Sequence, residues 1–200
     1  MTGIMASSDS RPAKPAPRRG DGKAALLDAV VRVTAQQGLR GVTYRSVAQE
    51  AGVSYGAVTY HFGNRDAMIE EAIAMTLAQT RQPFPEGRIS SIEEIGASLL
   101  AASRETRDVQ LFQFEIALEA TRKPELLPLV NRINQHYEHG LARQLEAIGI
   151  TDPATQKVLF SALDGLTFLH LTSGDTAEFE RSLQAFHALV RGAVDAQARS

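Results

Sequence analysis

The stretch from Thr43 to Asp66 concentrates side chains that can hydrogen-bond to phosphate or to the edges of bases. Three of the four tyrosines in the chain, Tyr44, Tyr55 and Tyr60, fall within seventeen positions. No residue from Ser54 to His61 is acidic. Hydroxyl groups, together with backbone amides at helix starts, are common contacts to phosphate. This composition predicts that the segment touches nucleic acid.

The elements that would position these side chains are two short helices joined by a tight turn. Gly52 supplies a left-handed turn, which costs a residue with a Cβ about 1–2 kcal/mol. Val53 is expected to pack between the helices, while Thr43 and Ser54 are placed to cap their first turns. The residues predicted to face inward are Val47, Ala48, Ala51, Val58 and Phe62. Together these features predict a helix-turn-helix, whose second helix enters a major groove.

The same stretch resembles the TetR family of bacterial repressors. The resemblance is carried by Gly41-Val42-Thr43-Tyr44-Arg45-Ser46-Val47-Ala48-Gln49-Glu50-Ala51-Gly52-Val53-Ser54, by Tyr60-His61-Phe62 and by Asn64-Arg65-Asp66. It covers about residues 24–74, where order, spacing and residue type all agree. The rest of the chain resembles the family only as an all-helical regulatory domain.

The resemblance implies a role for each matching position. Arg45 would reach a guanine edge or a phosphate, for which its guanidinium is suited. The other DNA contacts implied are Thr43 and Ser54 (phosphates), Tyr55, Gly56 and Thr59 (bases), Tyr60 and His61 (DNA backbone), and Arg65, which would neutralise a phosphate. Two structural alternatives stay open: His61 as a partly buried histidine bonded to a carbonyl, and Tyr44 packed against the first helix.

Composition limits the class of protein. The chain has 200 residues, of which 44% are hydrophobic, so it can bury a substantial core. It contains no cysteine, which excludes a disulfide scaffold, a cysteine nucleophile and a thiolate zinc site. Neither a secretory signal nor an apolar run of about 18 residues occurs. We therefore expect a soluble cytoplasmic protein with no membrane contact, no metal and no cofactor.

Charge and punctuation divide the chain into three parts. Residues 1–65 hold nine basic and four acidic side chains, whereas the remainder holds twelve basic and nineteen acidic ones. This asymmetry favours a cationic module joined to an acidic one. We predict a disordered basic arm over 1–22, a DNA-binding domain over 23–80 and a regulatory domain over 81–200, with the break at the proline-rich stretch 82–87.

Helical periodicity predicts an all-α fold of about nine helices, because no segment shows the alternation of a strand. Beyond the break, helices are expected near 92–105, 109–121, 125–148, 153–172 and 177–198. Asp152 before Pro153 is a typical cap and first-turn pair.

The acidic part is expected to bind a small molecule and to dimerise. Candidate ligand-binding residues, apolar or aromatic with a few polar groups, are Phe112, Phe114, Glu115, Leu118, His136, Tyr137, Phe168 and His170. Candidate dimer contacts on the last two helices are Leu159, Ala162, Leu166, Leu169, Leu183, Phe186 and Val190. Ordinary core packing is the alternative for both sets.

The leading hypothesis is a homodimeric transcriptional regulator that binds a palindromic double-stranded DNA operator, represses, and is released by a small-molecule effector. The alternatives are an enzyme and a helical ligand-binding or adaptor protein without operator binding. No phosphate loop, nucleotide fingerprint, serine triad spacing or metal cluster supports catalysis.

Overall fold

The computed structural model describes residues 21–79, 91–95 and 106–197. Within these ranges there are eight α-helices and no strand, which confirms the predicted all-α class. The helices are α1 (Asp21–Gln37), α2 (Tyr44–Ala51), α3 (Tyr55–His61), α4 (Arg65–Gln79), α5 (Arg107–Ala120), α6 (Leu127–Ala147), α7 (Pro153–Ser173) and α8 (Thr176–Gln197). Single turns of 3₁₀-helix occupy Leu39–Gly41, Ile92–Glu94 and Pro124–Leu126.

Local hydrogen bonds set the ends of α2 and α3 where the sequence predicted them. The Thr43 hydroxyl accepts from the amide of Ser46 at 3.0 Å, and the Ser46 hydroxyl accepts from the amide of Thr43 at 2.9 Å, a reciprocal capping box. Gly52 ends α2 at φ 68°, in the left-handed region. The Ser54 hydroxyl then caps α3 by accepting from the amide of Ala57 at 3.3 Å.

The start of α7 is fixed in the same way. The carboxylate of Asp152 accepts from the amide of Thr155 at 2.8 Å and from its hydroxyl at 2.6 Å. These hydrogen bonds lower the pKa of Asp152. Pro153 follows as the first helical residue, as predicted.

Two clusters of buried apolar side chains hold the helices together. The first joins α1 to α4 and also includes Phe112 and Ile116 of α5 and Ile133 of α6. The second joins α6, α7 and α8 and includes Ile95. Tyr137 of α6 packs against both. The helix-turn-helix therefore shares its core with helices of the carboxy-terminal part.

Some predicted boundaries differ from the structure. Helix α1 begins at Asp21, inside the predicted arm, because a solvent-facing first turn carries no apolar period for the sequence to show. Within the predicted helix 92–105, Ile92–Glu94 forms a 3₁₀ turn and residues 96–105 lie outside the described ranges. Residues 1–20 of the predicted arm and the predicted break at 82–87 also lie outside them. None of the helices in the described ranges is both long enough and apolar enough to cross a bilayer.

The left-handed turn at Gly52 can be tested by substitution. Gly52→Ala should lower the free energy of unfolding by about 1–2 kcal/mol, because a Cβ is strained at this φ although it would meet no neighbouring atom within 4 Å. Gly63→Ala is the matched control, since Gly63 is equally open and its φ is not in the left-handed region. Chemical denaturation measures both; equal effects for the two variants would contradict the role of the turn.

Candidate nucleic-acid interface

Helix α3 presents its polar and aromatic face to the surface. Tyr55 and Tyr60 are 57% and 85% exposed, and Gly56 and Thr59 are exposed beside them. The opposite face is anchored by Val58 and Phe62, which are buried in the first core cluster. The side chains predicted to read bases therefore stand on an open surface of a firmly packed helix.

On α2, Arg45 is the side chain best placed to contact an outside acceptor. It is exposed, and it forms no ion pair within the described residues. Thr43, just before it, is exposed but already engaged in its capping box. The Arg45 guanidinium can thus donate to a phosphate or to a guanine edge without breaking an existing ion pair.

Tyr44 links the two helices of the motif. Its hydroxyl donates to the carbonyl of Phe62 at 3.3 Å, and its ring lies edge-on to Tyr55 with centroids 5.9 Å apart. It is half-buried. Of the two predictions for this residue, the structure favours packing: Tyr44 positions Tyr55 and the end of α3.

At the end of α3, polar side chains contact one another. The His61 ring lies edge-on to Tyr60 at 5.2 Å and is half-buried, while Tyr60 points outward. The Thr59 hydroxyl donates to the carbonyl of Gly56 at 3.1 Å. Its proton is therefore used within the helix, and its oxygen stays exposed as an acceptor.

The structure gives Arg65 a role different from the predicted phosphate contact. Its Nε donates to the carbonyl of Val42 at 2.8 Å, and a terminal nitrogen donates to the carbonyl of Leu39. These carbonyls lie in the turn that connects α1 to α2. Arg65 thereby ties the first residue of α4 to the entry of the helix-turn-helix. The sequence carries no signal of this, because the partners are backbone atoms distant in the chain.

Acidic side chains around the motif are largely compensated. Glu50 pairs with Arg32 at 2.6 Å, and Glu71 pairs with Lys23 at 2.5 Å. Lys23 also lies over the ring of Phe62, 5.6 Å from its centroid. Since α3 itself carries no acidic residue, its outer face can approach a polyanion with little repulsion.

The predicted ligand-binding residues do not form a single site. Phe112 belongs to the first core cluster, Leu118 is on the surface, and the Glu115 carboxylate lies beside Gly38, so the prediction is wrong for these three. Three pairs of rings are in contact: Phe114 with Phe168 at 5.2 Å, His136 with Tyr137 at 5.3 Å, and His170 with Phe179 at 4.9 Å.

The predicted dimer contacts fall on two different faces. Leu159, Leu183, Phe186 and Val190 are buried in the second core cluster of a single chain, so the prediction is wrong for them. Ala162 and Leu166 are half-buried beside that cluster, and Leu169 is 61% exposed. The error arises because α7 and α8 each carry two apolar faces, and periodicity cannot tell which one belongs to the chain's own core.

This fold and this surface define a helix-turn-helix protein with a helical carboxy-terminal part, and comparison with known proteins identifies the family. The family description "Bacterial regulatory proteins, tetR family" matches residues 26–72, and "Tetracyclin repressor-like, C-terminal domain" matches residues 90–196. The chain belongs to the TetR family. It is a DNA-binding transcriptional regulator.

Individual relatives are similar over most of the chain. The nicotine-responsive transcriptional repressor HdnoR of Paenarthrobacter nicotinovorans is 28% identical over 134 residues, which cover 64% of this chain and 69% of HdnoR. The transcriptional regulator BetI of Paraburkholderia phytofirmans is 26% identical over 173 residues, or 81% of this chain and 88% of BetI. The multidrug binding protein EbrR, in complex with malachite green, is 27% identical and superimposes with a TM-score of 0.63 over 86% of this chain and 98% of its own.

The positioning role of Arg65 predicts a particular salt dependence. Arg65→Gln should weaken binding to every duplex while leaving the slope of log affinity against log salt unchanged, because no phosphate contact is lost. A lost phosphate contact would instead reduce the slope by about 0.9. Fluorescence anisotropy across a salt series measures this, with Arg143→Gln, an exposed arginine on α6, as control. A reduced slope would restore Arg65 to the set of phosphate contacts.

Proposed function

We propose that this protein is a homodimeric repressor that holds a palindromic DNA operator until a small-molecule effector binds its carboxy-terminal part. The observation that carries the proposal is the exposed, acid-free outer face of α3, fixed by Val58 and Phe62 to the core. A two-fold dimer would present two such helices. These would enter successive major grooves about 34–36 Å apart, or at a multiple of that spacing.

The DNA-binding part would extend over residues 23–80 and the regulatory part over residues 81–200. The family matches over 26–72 and 90–196 support this division. The shared core cluster means that the two parts are coupled by packing, as release by an effector requires.

Polar contacts also connect the two parts. Glu119, at the end of α5, is almost wholly buried and lies 3.8 Å from Arg40 in the turn before α2. Its other partners are Arg122 at 2.6 Å and Lys123 at 3.2 Å. Hydrogen bonds from Arg122 and Lys123 lower the pKa of Glu119. Because Arg65 holds the same turn from α4, movement of either α4 or α5 would reach the helix-turn-helix.

The effector would act by binding one arrangement of these helices better than the other, because equal affinity would shift nothing. The names of relatives support a small organic effector: HdnoR is described as nicotine-responsive, and EbrR has been crystallised with proflavin, ethidium and malachite green. We propose a displacement of α4 that changes the separation of the two copies of α3.

The dimer would form through the outer faces of α7 and α8. Val158 and Leu169 on α7 and Leu189 on α8 are large, apolar and exposed. Gly165 and Gly192 leave room for a close approach, since no atom lies within 4 Å of a Cβ built on either. Two copies of this pair would make a four-helix interface.

Catalysis forms no part of the proposal: the protein would act by binding alone, in the bacterial cytoplasm where its operator lies. The second candidate, an adaptor without operator binding, has no comparable surface in its favour.

The proposal is tested by selecting genomic fragments with the purified protein and measuring affinity for the selected duplex. Log affinity should fall linearly with log salt at about −0.9 per phosphate contact. Arg45→Ala should cost about 1–3 kcal/mol on the selected sequence and much less on a scrambled one if Arg45 reads a base. An equal loss on both duplexes would make it a phosphate contact, and no duplex binding at low salt would favour the adaptor.

The dimer face is tested by introducing a charge. Leu169→Asp should give monomers in sedimentation velocity, because the interface would have to bury an unpaired carboxylate. Leu118→Asp is the matched control: Leu118 is 49% exposed but lies on α5, away from the proposed face. Dimers that persist in both Leu169→Asp and Leu189→Asp would contradict this interface.

A further inference from the structure

Seven polar or charged side chains are buried in the described part of the chain, and five of them have partners. Thr34, Thr76 and Thr167 donate to carbonyls of their own helices at 2.8–2.9 Å. His187 bonds through Nε2 to the carbonyl of Ile95 at 2.8 Å, and Glu119 is paired as described above. The remaining two are glutamines.

Gln113 of α5 and Gln144 of α6 are 9% and 4% exposed. The amide nitrogen of Gln113, and both the nitrogen and the oxygen of Gln144, make no hydrogen bond. Buried polar atoms are nearly always paired, because leaving one unpaired costs the full desolvation of the group. Methionine fills a similar volume without that cost, so two unpaired glutamines point to a partner from outside the chain.

The unpaired atoms are concentrated in the carboxy-terminal part. Those of Gln110 and His170 complete the uncharged set, so that α5, α6 and α7 all contribute. These helices pack together: Arg107 donates to the carbonyl of Leu171 at 3.2 Å, and Phe114 contacts Phe168. In the described residues of α1 to α4, no buried side-chain atom is unpaired in this way. The pattern marks the part in which an effector would bind.

The buried groups also define the charge of a suitable ligand. Glu119 is the one buried charged side chain among the described residues, and Arg122 and Lys123 neutralise it. An ion transferred into such an interior would lack a counter-charge. Amide groups offer both donors and acceptors, and the rings of Phe114 and Phe168 offer an apolar surface.

We infer that the effector is a neutral molecule, in part aromatic or apolar, that carries both a hydrogen-bond donor and an acceptor, and that Gln113 and Gln144 recognise it. This inference rests on the proposed function, since it names the ligand class of the regulatory part. The competing class is an organic cation. Its natural partner would be Asp164, an acidic residue on α7 one turn before Phe168.

The experiment uses the full chain and three matched series of small aromatic compounds: carboxamides, ammonium ions and carboxylates. Ligand-observed NMR measures binding of each series, and anisotropy with a selected duplex measures release of DNA. We expect the carboxamides to bind best, and Gln113→Met or Gln144→Met to weaken them by about tenfold, the effect of one lost hydrogen bond with its unpaired group. Gln135→Met, an exposed glutamine on α6, is the control.

Thermal unfolding separates recognition from a structural role. If the glutamines serve the ligand, the unliganded methionine variants should keep or raise Tm, whereas a glutamine that supports the fold would lower it when replaced. Preferred binding of ammonium ions, lost in Asp164→Asn, would overturn the inference while leaving the regulator intact. Carboxamide binding that is absent, or indifferent to both glutamine variants, would overturn it too. Failure to bind any duplex would instead count against the proposed function.

Discussion

Apolar packing of α1 against both parts of the chain is the constraint on which the rest of the structure depends. Helix α1 lies in the first core cluster with the helix-turn-helix on one side and with Phe112 and Ile116 of α5 on the other. The exposed face of α3 has a defined direction only because Val58 and Phe62 are inserted into this cluster. Hydrophobic burial supplies the free energy, and the polar contacts around it fix the geometry.

Those polar contacts converge on the short turn Leu39–Gly41. Arg65 donates to its carbonyl groups from α4, and Glu119 approaches Arg40 from α5. A turn held from two sides by long side chains can follow a displacement of either helix more readily than the apolar core can. The structure thus combines a rigid reading helix with an adjustable link at its entry.

The sequence predicted the features that depend on neighbouring residues. The caps at Thr43, Ser54 and Asp152 and the left-handed turn at Gly52 form between atoms a few positions apart, so residue type and spacing are sufficient. The role of Arg65 depends on carbonyl groups that only the tertiary fold brings near it. The faces of α8 show a second limit: Phe186 and Leu189 differ little as sequence, yet one is core and the other surface.

The shared core affects how this protein could be recombined with its relatives. A chimera that joined α1 to α4 to a foreign carboxy-terminal part would leave the cavity filled by Phe112 and Ile116 without its own side chains. Transplanting α5 together with the amino-terminal helices would keep that packing intact. The natural unit of exchange is therefore longer than the helix-turn-helix, and operator specificity should travel between relatives most readily through surface changes on α3 alone.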